Sequence, residues 1–186
     1  MLPAGGALLL TGPNGSGKSS LLRLLAGLAR PEAGVISWQG ANIGEDPGAH
    51  RGRLHFIGHQ DALKGMLTVG ETLHFWAGMR GGGATRTALS HFRLAQLADW
   101  PCRLLSAGQR RRLALARLIA SPALLWLLDE PTSGLDADAI ADLAAALAKH
   151  CAEGGCVVLS THTPVPLERA EFLRLQDFAP GLAADA

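Results

Sequence analysis

Apolar and polar positions along the chain fall into two periods, one suited to buried strands and one to amphipathic helices. Ala7, Leu8, Leu9 and Leu10 form a continuous apolar run that stops at Thr11-Gly12, the pattern of a strand covered on both faces. A helix is expected over 18–29, with Leu21, Leu22, Leu24, Leu25 and Leu28 on its apolar face. It should end at Arg30-Pro31, because proline disfavours helical geometry in the residue before it. The stretch 34–40 alternates as a hairpin strand does, and 54–58 reads as another short strand. Helical periodicity returns over 68–80 and 85–98, interrupted by Gly81, Gly82 and Gly83, so 61–122 is read as a helical insertion. Residues 124–128 are a buried strand ending at Asp129-Glu130. An alanine-rich helix should span 136–151 with Asp136 as its N-cap, and 156–160 is a strand ending at Thr161-His162. Strands alternating with helices predict an α/β fold with a mostly parallel sheet and a ligand site at the carboxyl ends of its strands.

Composition narrows the class of partner. Apolar residues are 48% and charged residues 18% of the 186, enough for a buried core. Lys+Arg 17 against Asp+Glu 16 leaves a net charge of +1, which argues against nucleic acid as a partner and against a polybasic membrane surface. Cys102, Cys151 and Cys156 are too few and too scattered for a disulfide framework and are read as reduced cytosolic thiols. The longest apolar stretch near the centre, 118–128, is broken by Ser121-Pro122 and falls short of the roughly 18–20 residues needed to span a bilayer. Residues 1–10 lack a basic start and are not read as a signal peptide. Membrane attachment is therefore expected only through a partner.

The chemistry concentrates in three places. Gly12, Pro13, Asn14, Gly15, Ser16, Gly17, Lys18 and Ser19 match GxxxxGK[ST] between a strand and a helix. Glycines let backbone N–H groups approach phosphate oxygens, and the following helix presents the positive end of its dipole. Lys18 adds a full charge, and the Ser19 hydroxyl can ligate Mg²⁺. Asp129 and Glu130 arrive at the same sheet edge, where two buried acids are costly without a cation. Asp129 is read as the Mg²⁺-side acid and Glu130 as the base for attacking water. Leu105, Ser106, Ala107, Gly108 and Gln109 precede a helix, with Ser106 as N-cap. The run Arg110-Arg111-Arg112 is read as a solvated helix face, and His55 and His59, four apart on a strand-like segment, as structural.

Those motifs, with Gln60, the 133–136 segment and His162, resemble the ATP-binding-cassette ATPases over nearly the whole chain. The resemblance implies a P-loop NTPase core, 1–60 and 123–186, carrying a helical subdomain over 61–122, and an ATP hydrolase that works as a homodimer with Mg²⁺. It implies that Gly12 to Ser20, including Ser20, hold the nucleotide; that Ser19, Gln60 and Asp129 serve the metal; and that Glu130, Gln60 and His162 are catalytic. Ser106, Gly108 and Gln109 would meet the ATP bound by the partner, and Asp136 would lie at the dimer seam. Ala107 stands where the family usually has glycine, a small change if that residue needs no positive φ.

Segments 58–64 and 67–76, with the 105–112 run, look like the branch of this family that supplies ATPase subunits to cytochrome c maturation, the haem exporters. That likeness implies docking on integral membrane subunits at the cytoplasmic face of the bacterial inner membrane. A soluble cassette ATPase of DNA maintenance or translation would need a long coiled coil or a second cassette, and only 45 residues separate Gln60 from Ser106. A truncated binding module with weak hydrolysis is the other alternative. Family members open with antiparallel strands bearing an aromatic residue that stacks on adenine. Here Trp38 is the first aromatic, so those strands are expected to be truncated and ATP affinity weakened, with phosphate contacts kept.

Overall fold

The computed structural model describes residues 1–167 and 170–178; the final part of the expected core lobe, 179–186, lies outside them. The elements run β1 (Ala7–Thr11), α1 (Lys18–Leu25), β2 (Ser37–Trp38), β3 (Ala41–Asn42), α2 (Pro47–Gly52), β4 (Leu54–Ile57), α3 (Val69–Gly78), α4 (Thr85–His91), α5 (Ala107–Ala120), β5 (Leu125–Asp129), α6 (Ala137–Ala152), β6 (Cys156–Ser160) and β7 (Glu171–Arg174). Five strands form one parallel sheet in the order β4-β5-β6-β1-β7. Because every strand points the same way, the β1 loop, Asp129 and Ser160 leave the sheet at one edge, and Asp129 is in register with Ser160.

The strands alternate faces with period two. Leu9, Trp126, Leu128, Val157 and Leu159 join the larger core cluster, which includes Leu143 and Leu147 of α6 and Leu113 of α5. Leu10, Leu127 and Val158 turn the other way onto Leu22 of α1. Both faces being covered explains why these strands read as unbroken apolar runs.

Three boundaries differ from expectation. α1 stops at Leu25, short of the expected 29, because Gly27 at φ 65 lets its N–H reach the Leu24 carbonyl at 3.0 Å and Leu28 N–H the Arg23 carbonyl at 2.9 Å. Leu28 thereby leaves the apolar face and is 55% exposed. The second insertion helix ends at His91 by the same device, with Arg93 at φ 56 and Leu94 N–H on the Leu89 carbonyl at 2.7 Å. Leu94 is fully buried, so core packing draws the chain inward there. The hairpin around 34–40 shrinks to two residues per strand around Gln39-Gly40, both at positive φ. β7 and α2 carried no clear sequence signal: β7 is a mostly exposed edge strand, and α2 is a short helix whose Asp46 cap accepts from Ala49 N–H at 2.9 Å.

Among the described residues, no helix is long and apolar enough to cross a membrane. Helices α3, α4 and α5 pack on one another, and α5 also packs against β4 and α6.

Candidate nucleotide site

The loop between β1 and α1 is built to present N–H groups. Gly17, the N-cap of α1, sits at φ 93, and no side chain caps the helix. The first-turn N–H groups of α1 therefore remain open toward the loop, with no acidic residue beside them. Lys18 is buried, and its Nζ donates to the carbonyls of Gly12 at 2.7 Å and Pro13 at 3.0 Å.

Facing this loop is the exit of β5. Asp129 is buried, and its Oδ1 accepts the Ser160 hydroxyl at 2.8 Å. Glu130 turns sharply, at φ 49, with its N–H on the Ser160 carbonyl and hydroxyl, both at 3.1 Å. The His162 N–H donates to Glu130 Oε2 at 3.2 Å, and His162 Nε2 lies 3.4 Å from Glu130 Oε1 and 3.1 Å from Asn14 Oδ1. Glu130 Oε1 is buried and has no hydrogen-bond partner. With only the His162 ring nitrogen near it, at 3.4 Å, that oxygen keeps a lone pair able to accept a proton.

These groups enclose a cavity of about 460 Å³ lined by Asn14, Gly15, Gly17, Lys18, Ser19, Ser20, His59, Asp129, Glu130, Ser133 and His162. The geometry thus brings the phosphate loop, the acidic pair and His162 together. Gln60 borders a neighbouring cavity of about 580 Å³ that shares His59 and Asp129 with the first. His59, read from sequence as structural, lines this same cavity from its place just after β4 at that sheet edge. Gly12, Pro13 and Ser16 shape the loop from behind, with Ser16 N–H on the Pro13 carbonyl at 3.2 Å. Trp38 packs on the α1-side core, away from both cavities.

The 105–109 segment lies outside the cavity. Ser106 caps α5 in a reciprocal box: Gln109 N–H reaches Ser106 Oγ at 3.2 Å and Ser106 N–H reaches Gln109 Oε1 at 2.8 Å. Ala107 opens the helix, and its φ is not positive, so the absent glycine costs nothing there. Gly108 lies against the 133–136 loop: a Cβ on it would fall 2.9 Å from the Gly134 carbonyl oxygen. Asp136 caps α6 through Ala139 N–H at 2.8 Å. The reading of 110–112 as a solvated face is overturned at its centre. Arg110 and Arg112 are half-buried, but Arg111 is 4% exposed and turned inward, because its guanidinium finds backbone carbonyls at the ends of β4 and β5.

Comparison with known proteins places this architecture. The family model described as ABC transporter matches residues 1–133. The chain belongs to the ABC transporter ATPases. This cassette is 54% identical over 184 residues to the cytochrome c biogenesis ATP-binding export protein CcmA of Paramagnetospirillum magneticum, covering 96% of the chain and 85% of that protein. It is 56% identical to the protein of the same name from Rhodospirillum rubrum, covering 96% and 78%. Among solved structures, it is similar to the dimeric post-hydrolysis state of the ATP-binding cassette MJ0796 bound to ADP and Pi, at TM-score 0.79 and 26% identity, over 88% of this chain and 77% of that one. A cassette of this family binds nucleotide and hydrolyses ATP, and the parallel sheet with flanking helices is the P-loop NTPase fold expected from sequence.

Proposed function

We propose that this cassette is the ATP-hydrolysing subunit of a transporter serving c-type cytochrome biogenesis, powering haem export or delivery. The names carried by relatives of 54% and 56% identity support the pathway. The observation that carries the chemistry is the single cavity joining Lys18, Ser19, Asp129, Glu130 and His162.

In this reading, the open N–H groups of 18–20 and the Lys18 ammonium grip the phosphates. Ser19 and Asp129 supply hard oxygen donors in one cavity, which fits Mg²⁺, and Gln60 approaches from the adjoining one. Held there, Mg²⁺ would supply charge neutralisation for the transferred phosphoryl group. Glu130 Oε1, buried and unpartnered, accepts the proton of attacking water. His162 holds the carboxylate through its N–H and presents its ring beside Asn14 at the mouth of the cavity.

Ser106, Gly108 and Gln109 stand away from their own subunit's cavity, which supports their meeting a second copy's nucleotide across a homodimer; that the similar cassette MJ0796 is dimeric with ADP and Pi bound supports a homodimer. Residues 1–60 and 123–186 would then act as the core lobe and 61–122 as the helical one. The cavity at Gln60, walled by Phe56, Trp76 and Arg117, and the exposed Phe75 and Met79 on the same helical segment, support docking of integral membrane subunits, which would hold the cassette at the cytoplasmic face of the inner membrane.

The test is Glu130→Gln. It should abolish turnover and trap an ATP-bound dimer visible by size-exclusion chromatography with light scattering. Turnover at the parent rate would remove Glu130 as base.

A further inference from the structure

Arg111 is a buried cation that neither the phosphate grip nor the metal donors use. A guanidinium carries five N–H donors, and each of the five meets an oxygen. Nε donates to the Pro131 carbonyl at 3.2 Å. Nη1 donates to the Gly58 carbonyl at 2.9 Å and to Asp61 Oδ1 at 3.0 Å. Nη2 donates to the carbonyls of Asp129 at 2.9 Å and Glu130 at 2.8 Å. Burying this charge is tolerable because every donor is satisfied and Asp61 supplies a counter-charge.

The pattern of acceptors is what matters. Three successive carbonyls, of Asp129, Glu130 and Pro131, converge on one cation, a crowding that their dipoles would otherwise oppose. At the centre of that turn, Glu130 holds φ 49, a conformation disfavoured for any residue with a Cβ. The remaining two acceptors flank Gln60 in the chain. Arg111 itself stands on α5, whose N-cap is Ser106 and whose first turn carries Gly108. One side chain therefore fastens the Glu130 turn, the Gln60 loop and α5 into a single unit.

We propose that Arg111 is the positioning residue of the hydrolytic step: its guanidinium fixes the left-handed turn that aims the Glu130 carboxylate and locks that turn to α5 and to the Gln60 loop. The proposal rests on Glu130 being the base. Lysine keeps the charge but offers three donors in place of five, so Arg111→Lys leaves at least two of these oxygens unmet.

The experiment measures ATP turnover and MgATP affinity for the full-length chain in its transporter complex, as the parent, Arg111→Lys, Glu130→Gln and the double variant. Arg111→Lys should lower kcat tenfold or more while leaving the dissociation constant for MgATP within threefold, and it should leave the residual rate of Glu130→Gln unchanged. A kcat within twofold of the parent overturns the proposal, as does an equal fractional loss in the Glu130→Gln background. Parallel loss of kcat and affinity with the folded fraction, followed by thermal melting, also overturns it. Should Arg111→Lys fail to fold, Asp61→Asn decides: it keeps an acceptor but removes the counter-charge, and should lower kcat at least threefold at unchanged affinity, an unchanged kcat sinking the idea. Full turnover in Glu130→Gln alone would instead overturn the base assignment.

Discussion

The two edges of the parallel sheet bury ionisable groups in opposite ways. At the carboxyl edge, Lys18 and Asp129 are buried together around a cavity that Glu130 also lines, one of its oxygens making no hydrogen bond. At the amino edge, the buried groups are histidines. His55 is 3% exposed, with Nε2 at 3.1 Å from the Ser121 carbonyl, and burial pushes its pKa down to about 4. His150 stacks flat on Trp126, ring centroids 3.8 Å apart, and burial lowers its pKa as well. The amino edge holds carbonyl-bonded and stacked histidines whose charged form burial disfavours, whereas the carboxyl edge gathers a lysine and two acids around one cavity.

Perturbing the carboxyl edge should change chemistry with little change in stability, and perturbing the amino edge should do the reverse. Glu130→Gln should give the largest effect: removing the proposed base should lower kcat by about 10²–10⁴-fold, measured by phosphate release, with a melting temperature close to the parent's.

His55→Gln probes the other edge. Below about pH 6.5 the unfolded chain takes up a proton that the folded His55, with pKa about 4, refuses, so this group's contribution is intact above pH 6.5 and lost as pH falls toward 4. The loss amounts to about 3 kcal/mol, from 1.36 kcal/mol per pKa unit. Urea denaturation at pH 7.5 and pH 4.5 should therefore show a smaller acid loss in His55→Gln than in the parent; identical acid limbs would erase the contrast between the edges.

Lys18→Ala should weaken ATP binding by about 2 kcal/mol, the scale of hydrogen bonds to a charged group, read by calorimetric titration. Thr68→Ala touches neither edge. It removes the cap that accepts Glu71 N–H at 3.1 Å and should cost about 1 kcal/mol of stability at every pH, with kcat unchanged.

What could be read from sequence follows from range. The phosphate loop, the acid pair and the Ser106 cap are set by neighbours within a few residues, so their spacing announced them. Asp136 at the head of α6 was legible for the same reason. Arg111 was not, since three arginines in a row look solvated and only the fold brings the Gly58 carbonyl, from β4's exit, to the middle one. The early stop of the fourth helix was hidden too: Arg93 accepts a positive φ because Leu94 gains a fully buried place and Arg93 pairs with Asp138 at 2.6 Å and Asp142 at 3.0 Å on α6. His59 and Gln60 differ by one position, and the chain's turn at the end of β4, rather than residue type, decides which of them faces the phosphate cavity.

Gly108 has no room for even one methyl group beneath the Gly134 oxygen. In the paired assembly proposed above, the helix it belongs to serves the neighbour's ATP, so the harm from an alanine there would fall on the other copy. In a dimer of one altered and one unaltered copy, the nucleotide left without its helix would be the one held by the unaltered copy: the lesion would act in trans.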